Sequence, residues 1–337
     1  MKKVISIALA LVLVVSVIAM VGCGNSSLKY GVGVVSSLGE IKNADGDANG
    51  AGELVTTAVA VLLDKDNKIV AIDLDSAQIK AGWTSEGKVI ATEDFRTKYE
   101  RGKEYGMSNI GKKEWNEQAD AFKATVVGKT LDEVKAMMGE DTYAKGDLAA
   151  AGCTISVGEF IGALEKAVAN AVESQATAKN TLNLAIVSSA TNKDATEEAE
   201  GSIEISSTIV AAVVDADAKV VVSKTDNVAE TISFDAKGVS STDATAVIKT
   251  KLEKGADYGM SAAINYGPQN DPNGDGKVLE WNEQAAAFDA ALVGKTASEF
   301  GALAGEDGRG TGDLATAGCT IGISEMIATA EKAATVA

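Results

Sequence analysis

Residues 114–167 read EWNEQADAFKATVVGKTLDEVKAMMGEDTYAKGDLAAAGCTISVGEFIGALEKA, and residues 280–333 repeat this stretch without a gap. Well over half of the aligned positions are identical. Weaker matches lie upstream, where Tyr105-Gly106-Met107-Ser108 aligns with Tyr258-Gly259-Met260-Ser261. Two copies of this size are too few for a solenoid, so the duplication predicts two tandem globular domains.

The second half of each copy has a helical pattern. In the first copy, Trp115, Ala119, Phe122 and Val126 recur at helical spacing and define one apolar face. Trp281, Ala285, Phe288 and Leu292 do the same in the second copy. Gly128 and Gly294 are expected to end these helices, and capping boxes at Thr130 and Thr296 start the next ones. The final helix of each copy is predicted to begin near Ile155 or Ile321.

The first half of each copy has a strand pattern. Val55–Leu63 and Ile69–Leu74 are apolar, β-branched runs joined by a turn over Asp64–Lys68. Their counterparts are Ile209–Val214 and Val220–Val222, joined over Asp215–Lys219. Strands followed by helices predict an α+β fold, with antiparallel hairpins at the start of each copy.

The N-terminus has the pattern of an export signal. Lys2 and Lys3 precede an uncharged apolar run over residues 4–21, and Met20-Val21-Gly22-Cys23 resembles a bacterial lipobox. A lipobox implies that the signal is removed and that Cys23 carries the lipid, whose two acyl chains give stable membrane anchoring. The alternative is an uncleaved signal anchor, because the run is also long enough to span a bilayer.

These signals divide the chain into five segments. Residues 1–22 are the predicted lipoprotein signal peptide, and residues 23–28 are a lipidated N-terminal linker. The first domain covers residues 29–172, and the second covers residues 182–337. The polar residues 173–181 connect the two and are expected to continue the last helix of the first domain as a semi-rigid linker.

Composition excludes several classes of function. The chain has a net charge of −17, which argues against nucleic acid and anionic lipid as partners. It contains no histidine, so a mechanism that needs an imidazole base or ligand is excluded. Besides Cys23, its cysteines are Cys153 and Cys319, at equivalent places in the repeats, and a disulfide between them would require the two sites to face each other.

The repeated segment Gly-Asp-Leu-Ala-x-Ala-Gly-Cys-Thr-Ile is the best candidate site. If it opens the final helix, the unpaired N–H groups there favour a phosphate or another anion. A glycine lets a ligand approach the backbone, and a threonine supplies a hydroxyl. An exposed cysteine at this place would have a thiol with a lowered pKa. The alternative is ordinary capping by Thr154 and Thr320, with buried packing cysteines.

This arrangement of hairpin, Trp/Phe helix, Val-Gly-Lys-Thr and Ala-Gly-Cys-Thr-Ile resembles the FMN-binding domain family of bacterial envelope flavoproteins. The resemblance covers most of both repeats. It implies FMN attached through its phosphate to a threonine hydroxyl by a flavin transferase. The implied cofactor-binding residues are Thr154, Thr320, Gly152, Gly318, Cys153, Cys319, Asp147 and Asp313.

The second copy carries an insertion with the spacing of a calcium loop. Asp271, Asn273 and Asp275 are predicted oxygen ligands. Asn282 occupies the position of the usual closing acid, so Glu280 would have to serve on a different loop path. A plain acidic turn is the alternative.

Together these features predict a lipoprotein at the outer face of the cell membrane, more an electron-transfer or binding protein than an enzyme. Its expected cofactor is FMN, with Ca²⁺ as a second candidate. Its expected partners are the membrane, a flavin transferase and redox proteins. The leading alternative is a surface lipoprotein that has lost the flavin and acts as a binding or structural module, and a third is a receptor for a small anion.

Overall fold

A computed structural model describes residues 26–110, 112–260 and 279–335. Cys23 and the predicted calcium ligands Asp271, Asn273 and Asp275 lie outside these residues. Within the described ranges, no helix is both long enough and apolar enough to cross a membrane.

The fold is α+β, as predicted. The strands, in chain order, are β1 (Lys29–Leu38), β2 (Gly50–Leu63), β3 (Ile69–Trp83), β4 (Val89–Ile90), β5 (Val172–Glu173), β6 (Thr181–Lys193), β7 (Gly201–Val214) and β8 (Val220–Phe234). The α-helices are α1 (Lys98–Arg101), α2 (Trp115–Val126), α3 (Leu131–Lys135), α4 (Asp147–Ala151), α5 (Gly158–Ala169), α6 (Lys251–Lys254), α7 (Trp281–Leu292), α8 (Gly312–Thr316) and α9 (Ser324–Ala334). Shorter 3₁₀ turns lie at Gly102–Tyr105, Met107–Ile110, Gly255–Tyr258 and Ala297–Leu303.

Each repeat forms an antiparallel sheet. The first sheet has the order β4-β3-β2-β1-β5, and the second has the order β6-β7-β8. The two predicted hairpins are present, and their strands extend well beyond the apolar runs. In each turn one aspartate arranges the loop: Asp64 Oδ1 accepts from the N–H groups of Asp66 and Lys68, both at 2.9 Å, and Asp215 does the same in the second repeat.

The two sheets pack face to face, with helices on the two outer sides. Along β2, Val59 and Val61 pack against the helices of their own repeat. The intervening Ala60 and Leu62 lie in a core that also contains Ala211 and other residues of the second sheet. Because both faces of this end of the strand are buried, residues 58–63 are continuously apolar instead of alternating.

The last helix of each repeat lies close against the first strand of its sheet. A Cβ added at Gly33 would lie 2.2 Å from the carbonyl oxygen of Ala163, so only glycine permits this separation of α5 and β1. The close approach buries Ile161, Leu164 and Ala167 in the core of the first repeat.

Two local predictions were wrong. The final helices begin at Gly158 and Ser324, three residues after Ile155 and Ile321, and have Val157 and Ile323 as their N-caps. The connection between the repeats does not continue α5. That helix ends at Ala169, and β5 then pairs antiparallel with β1, which gives the backbone groups of the connection sheet partners instead of helical ones.

Candidate functional site

The Gly-Cys-Thr segment follows a short helix and does not open the last one. Gly152 is the C-cap of α4, with a left-handed φ of 99° that favours glycine. Thr154 lies four residues before the start of α5 and is not its N-cap. In the second repeat Ala317 is the C-cap of α8, and the next residue, Gly318, has the left-handed φ of 98°. The predicted anion site at a helix N-terminus is therefore not formed by Thr154 or Thr320.

A buried glutamine holds the threonine in each repeat. Gln118 Oε1 accepts from the Thr154 N–H at 2.8 Å and from its hydroxyl at 3.1 Å. Its Nε2 donates to the Lys113 carbonyl oxygen at 2.8 Å, so the amide is fixed from both ends. Gln284 makes the same contacts with Thr320 and with the Leu279 carbonyl oxygen.

Sequence reasoning did not single out this glutamine. It has no exposed surface in either repeat, and it lies beside Ala119 or Ala285 on the buried face of its helix. The available signal was a polar residue on an apolar helix face, retained in both copies. A buried amide of this kind needs hydrogen-bond partners, and here the segment around Thr154 provides them.

The surroundings of the two threonines differ. Thr154 is exposed, whereas Thr320 is only 5% exposed. A Cβ built on Gly152 would lie 2.4 Å from Lys113 Nζ, which places that ammonium over the glycine. The residue at the equivalent place over Gly318 is Leu279, at 2.3 Å. Thr154 is therefore exposed and lies two residues after a glycine covered by a lysine, whereas the buried Thr320 has a leucine over the equivalent glycine and Arg309 Nη1 on its carbonyl oxygen.

The two cysteines are packing residues in this structure. Cys153 and Cys319 are free and fully buried, and each lies in the core of its own repeat. Burial raises the pKa of the Cys153 thiol to about 11 and that of Cys319 to about 12. The acidified cysteine that an exposed helix start would give is therefore not formed.

The two predicted aspartates lie at the surface. Asp147 Oδ2 is 3.7 Å from Lys129 Nζ, and its side chain is 77% exposed. Asp313 lines an open groove of about 730 Å³, together with Lys295, Thr311 and several alanines. Neither aspartate is hydrogen-bonded to the threonine of its own repeat, so they are peripheral to the Gln–Thr arrangement.

Glu280 has a structural contact that bears on the calcium prediction. Its Oε2 accepts from the Met260 N–H at 3.0 Å. The equivalent Glu114 binds the N–H groups of Met107 and Ser108, both at 3.0 Å, although the first repeat has no acidic insertion. The shared contact indicates that this glutamate holds the Tyr-Gly-Met turn onto the following helix. Among the described residues, no group of three or more acids and cysteines is placed to hold a metal ion.

Comparison of the chain with family models, with curated proteins and with solved structures gave no match.

Proposed function

We propose that this protein is a membrane-anchored, extracytoplasmic electron carrier that holds FMN through its phosphate on Thr154. The observation that supports the proposal is the exposed residue Thr154, two positions after the glycine that Lys113 Nζ covers, on a segment fixed by the buried Gln118. A carrier of this type needs no catalytic base, which agrees with the absence of histidine from the chain.

The residues around Thr154 fit a phosphate group. Lys113 supplies a positive charge, and the missing side chain of Gly152, two residues before Thr154, leaves the space that this lysine occupies. Gln118 Oε1 accepts a hydrogen bond from the Thr154 hydroxyl and so fixes the direction of Oγ1 in the unmodified protein. The flavin would supply the redox chemistry, while the protein provides its position and electrostatic environment.

The second repeat fits the cofactor less well. Thr320 is buried, its carbonyl oxygen accepts from Arg309 Nη1 at 3.0 Å, and Leu279 replaces the lysine. A phosphoester at Thr320 would have to displace the groups that bury this residue, and the nearby Arg309 already donates to the Thr320 carbonyl oxygen. We therefore propose one flavin per chain, on Thr154, and a structural role for the second Gly-Cys-Thr segment.

The proposed anchor would keep the flavin close to the membrane. Cys23 precedes the first residue of β1, Lys29, by six positions, so a lipid on Cys23 leaves only a short tether. The expected partners are then the flavin transferase and redox proteins of the same membrane face. Palmitate labelling tests the anchor. We expect the Cys23→Ala substitution to abolish the labelling, and labelling that survives this substitution would contradict the anchor.

Mass spectrometry of the protein from cells that contain a flavin transferase tests the flavin site. We expect an FMN adduct on the peptide that contains Thr154, loss of the adduct and of the yellow colour in Thr154→Ala, and retention of both in Thr320→Ala. Thr154→Ser is the conservative control, because it keeps the hydroxyl. An unmodified Thr154 peptide from folded wild-type protein would overturn the proposal.

The second candidate is a surface lipoprotein that retains the fold without the flavin, as a binding or structural module. The observation that favours it is the buried state of Thr320 and of both thiols, which makes the segment a packing element in one repeat at least. A folded, colourless wild-type protein from flavin transferase-containing cells would support this candidate.

A further inference from the structure

A second set of polar residues is duplicated across the two repeats, away from the threonine segment. Its centre is the lysine at the start of α1 or α6, Lys98 or Lys251. Each repeat surrounds this lysine with the same residue types. They are Tyr105, Trp115, Glu53, Glu159 and Asp75 in the first repeat, and Tyr258, Trp281, Glu204, Glu325 and Asp226 in the second.

Among the described residues, the central ammonium groups contact two aromatic rings each. Lys98 Nζ lies 5.6 Å from the centre of the Tyr105 ring and 5.8 Å from that of Trp115, and Lys251 has matching distances of 5.3 and 5.5 Å. Within the described part of the chain, neither ammonium makes a hydrogen bond or an ion pair. Burial lowers the pKa of both lysines, because it removes water from the charged form.

The nearby carboxylates are held by other residues in the first repeat. Glu159 Oε2 accepts from the Thr57 hydroxyl at 3.0 Å. Both oxygens of Glu53 accept from Gln78 Nε2, at 2.9 and 2.8 Å. These contacts keep the two acids near Lys98 without an ion pair, so the ammonium retains its capacity to donate.

A second cation lies one helical turn along in both copies. Arg101 follows Lys98 by three positions, and Lys254 follows Lys251 by the same spacing. The Arg101 guanidinium lies 5.1 Å from the centre of the Tyr105 ring, so both cations flank one tyrosine. Arg101 Nε also lies 3.5 Å from Asp94 Oδ2, so this cation is already partly neutralised. The remaining repulsion between the two cations would be relieved by an anion bound between them.

We propose that the Lys98–Arg101 pair and the Lys251–Lys254 pair are two equivalent binding sites for the carboxylate group of a small organic acid. A singly charged ligand is favoured because Glu53 and Glu159 lie close to Lys98 and would repel a phosphate dianion more strongly. This proposal is independent of the flavin and applies to the flavin-free protein.

Competitive lysine acylation with a peptide mass-spectrometry readout tests both sites in the whole protein. The probe is sodium propionate, compared with sodium chloride at matched ionic strength. Propionate should slow acylation of Lys98 and Lys251 but leave the exposed Lys103, on the same segment, unchanged. Equal rates at Lys98 and Lys251 in the two salts would overturn the proposal, and stronger protection by inorganic phosphate than by propionate would overturn the carboxylate assignment.

Variants of the second cation separate the two sites while leaving the reporter lysines in place. Arg101→Gln should weaken propionate protection of Lys98 about tenfold or more and leave Lys251 unaffected, since it removes a charge-assisted contact. Lys254→Gln should do the converse, and Lys103→Gln should change neither. Circular dichroism confirms that each variant is folded. Unchanged protection in two folded second-cation variants would contradict the paired-cation site.

Discussion

Trp83 and Phe234 stack face to face across the two repeats, with ring centroids 4.9 Å apart and ring planes inclined by 2°. They occupy equivalent positions at the ends of β3 and β8, opposite Gly50 and Gly201. Backbone contacts around them are also reciprocal. Ala44 N–H donates to the Gly238 carbonyl at 2.9 Å, and Ala195 N–H donates to the Gly87 carbonyl at 2.8 Å. The repeats therefore meet about a local pseudo-twofold axis.

The aromatic stack should couple the stability of the two repeats. Phe234 is fully buried in the core shared by both sheets, so Phe234→Ala should lower the free energy of unfolding by about 3–5 kcal/mol. Urea unfolding followed by tryptophan fluorescence and by circular dichroism measures this change. We expect the two signals to change together in a single transition.

The control for this substitution is Val239→Ala, because Val239 lies nearby in sequence but is 46% exposed and should cost well below 1 kcal/mol. Two separated transitions in wild-type protein, one for each repeat, would contradict the coupling.

A reciprocal pair of salt bridges crosses the same boundary. Lys166 Nζ is 2.6 Å from Glu253 Oε1, and the equivalent Lys332 Nζ is 2.9 Å from Glu100 Oε1. All four side chains are about one-third exposed, so each pair should contribute only about 0.2–1 kcal/mol. Double-mutant cycles with alanine at each pair measure the coupling, which should decrease in high salt. A coupling of several kcal/mol, or one insensitive to salt, would contradict this estimate.

Two buried aspartates should make stability depend on pH. Asp75 and Asp226 accept hydrogen bonds from the first turns of α1 and α6, including Tyr99 N at 3.3 Å and Leu252 N at 3.2 Å. Burial raises the pKa of each carboxyl to about 6, above the ordinary value of 3.8. The folded state then holds these protons more tightly than the unfolded state, so their contribution is complete below pH 4 and is lost as the pH rises through 6.

The comparison of wild-type protein with Asp75→Asn/Asp226→Asn isolates this effect. Asparagine resembles the protonated carboxyl and does not titrate. Between pH 4 and pH 7 the unfolding free energy of the wild-type protein should therefore fall, relative to that of the variant, by roughly 2–3 kcal/mol per site. Urea titrations at several pH values provide the measurement. A difference that is constant with pH would show that both carboxyls have ordinary pKa values in the folded protein.

The sequence predicted the parts of the fold that local patterns determine. The hairpin turns have their aspartates in place, and α2 and α7 carry their apolar faces as expected. The strands are longer than predicted because β3 continues through Asp73, Asp75, Ser76 and Gln78. These polar residues have partners across the sheet or from helices, such as Gln78 with Glu53, and polarity alone does not reveal such partners.

The relation between the repeats and the shape of the candidate site depend on distant contacts. Nothing in the local pattern around Trp83 indicates that it stacks on Phe234, 151 positions later in the chain. Similarly, Gln118 reaches Thr154 across 36 positions and fixes it outside the final helix. Capping signals alone therefore placed that helix too early.

The reactivity of the two cysteines gives an independent test of whether the two repeats unfold together. Cys153 and Cys319 have no exposed surface, and burial raises the pKa of both thiols, so few thiolates are present near neutral pH. In native protein with Cys23 replaced by alanine, both should react very slowly with a thiol reagent at pH 8. In urea they should become reactive together, because opening either core requires global unfolding if the repeats are coupled through Trp83 and Phe234. Mass spectrometry of the labelled peptides distinguishes the two sites. Early labelling of one cysteine, at a urea concentration where the other stays protected, would show that its repeat opens alone.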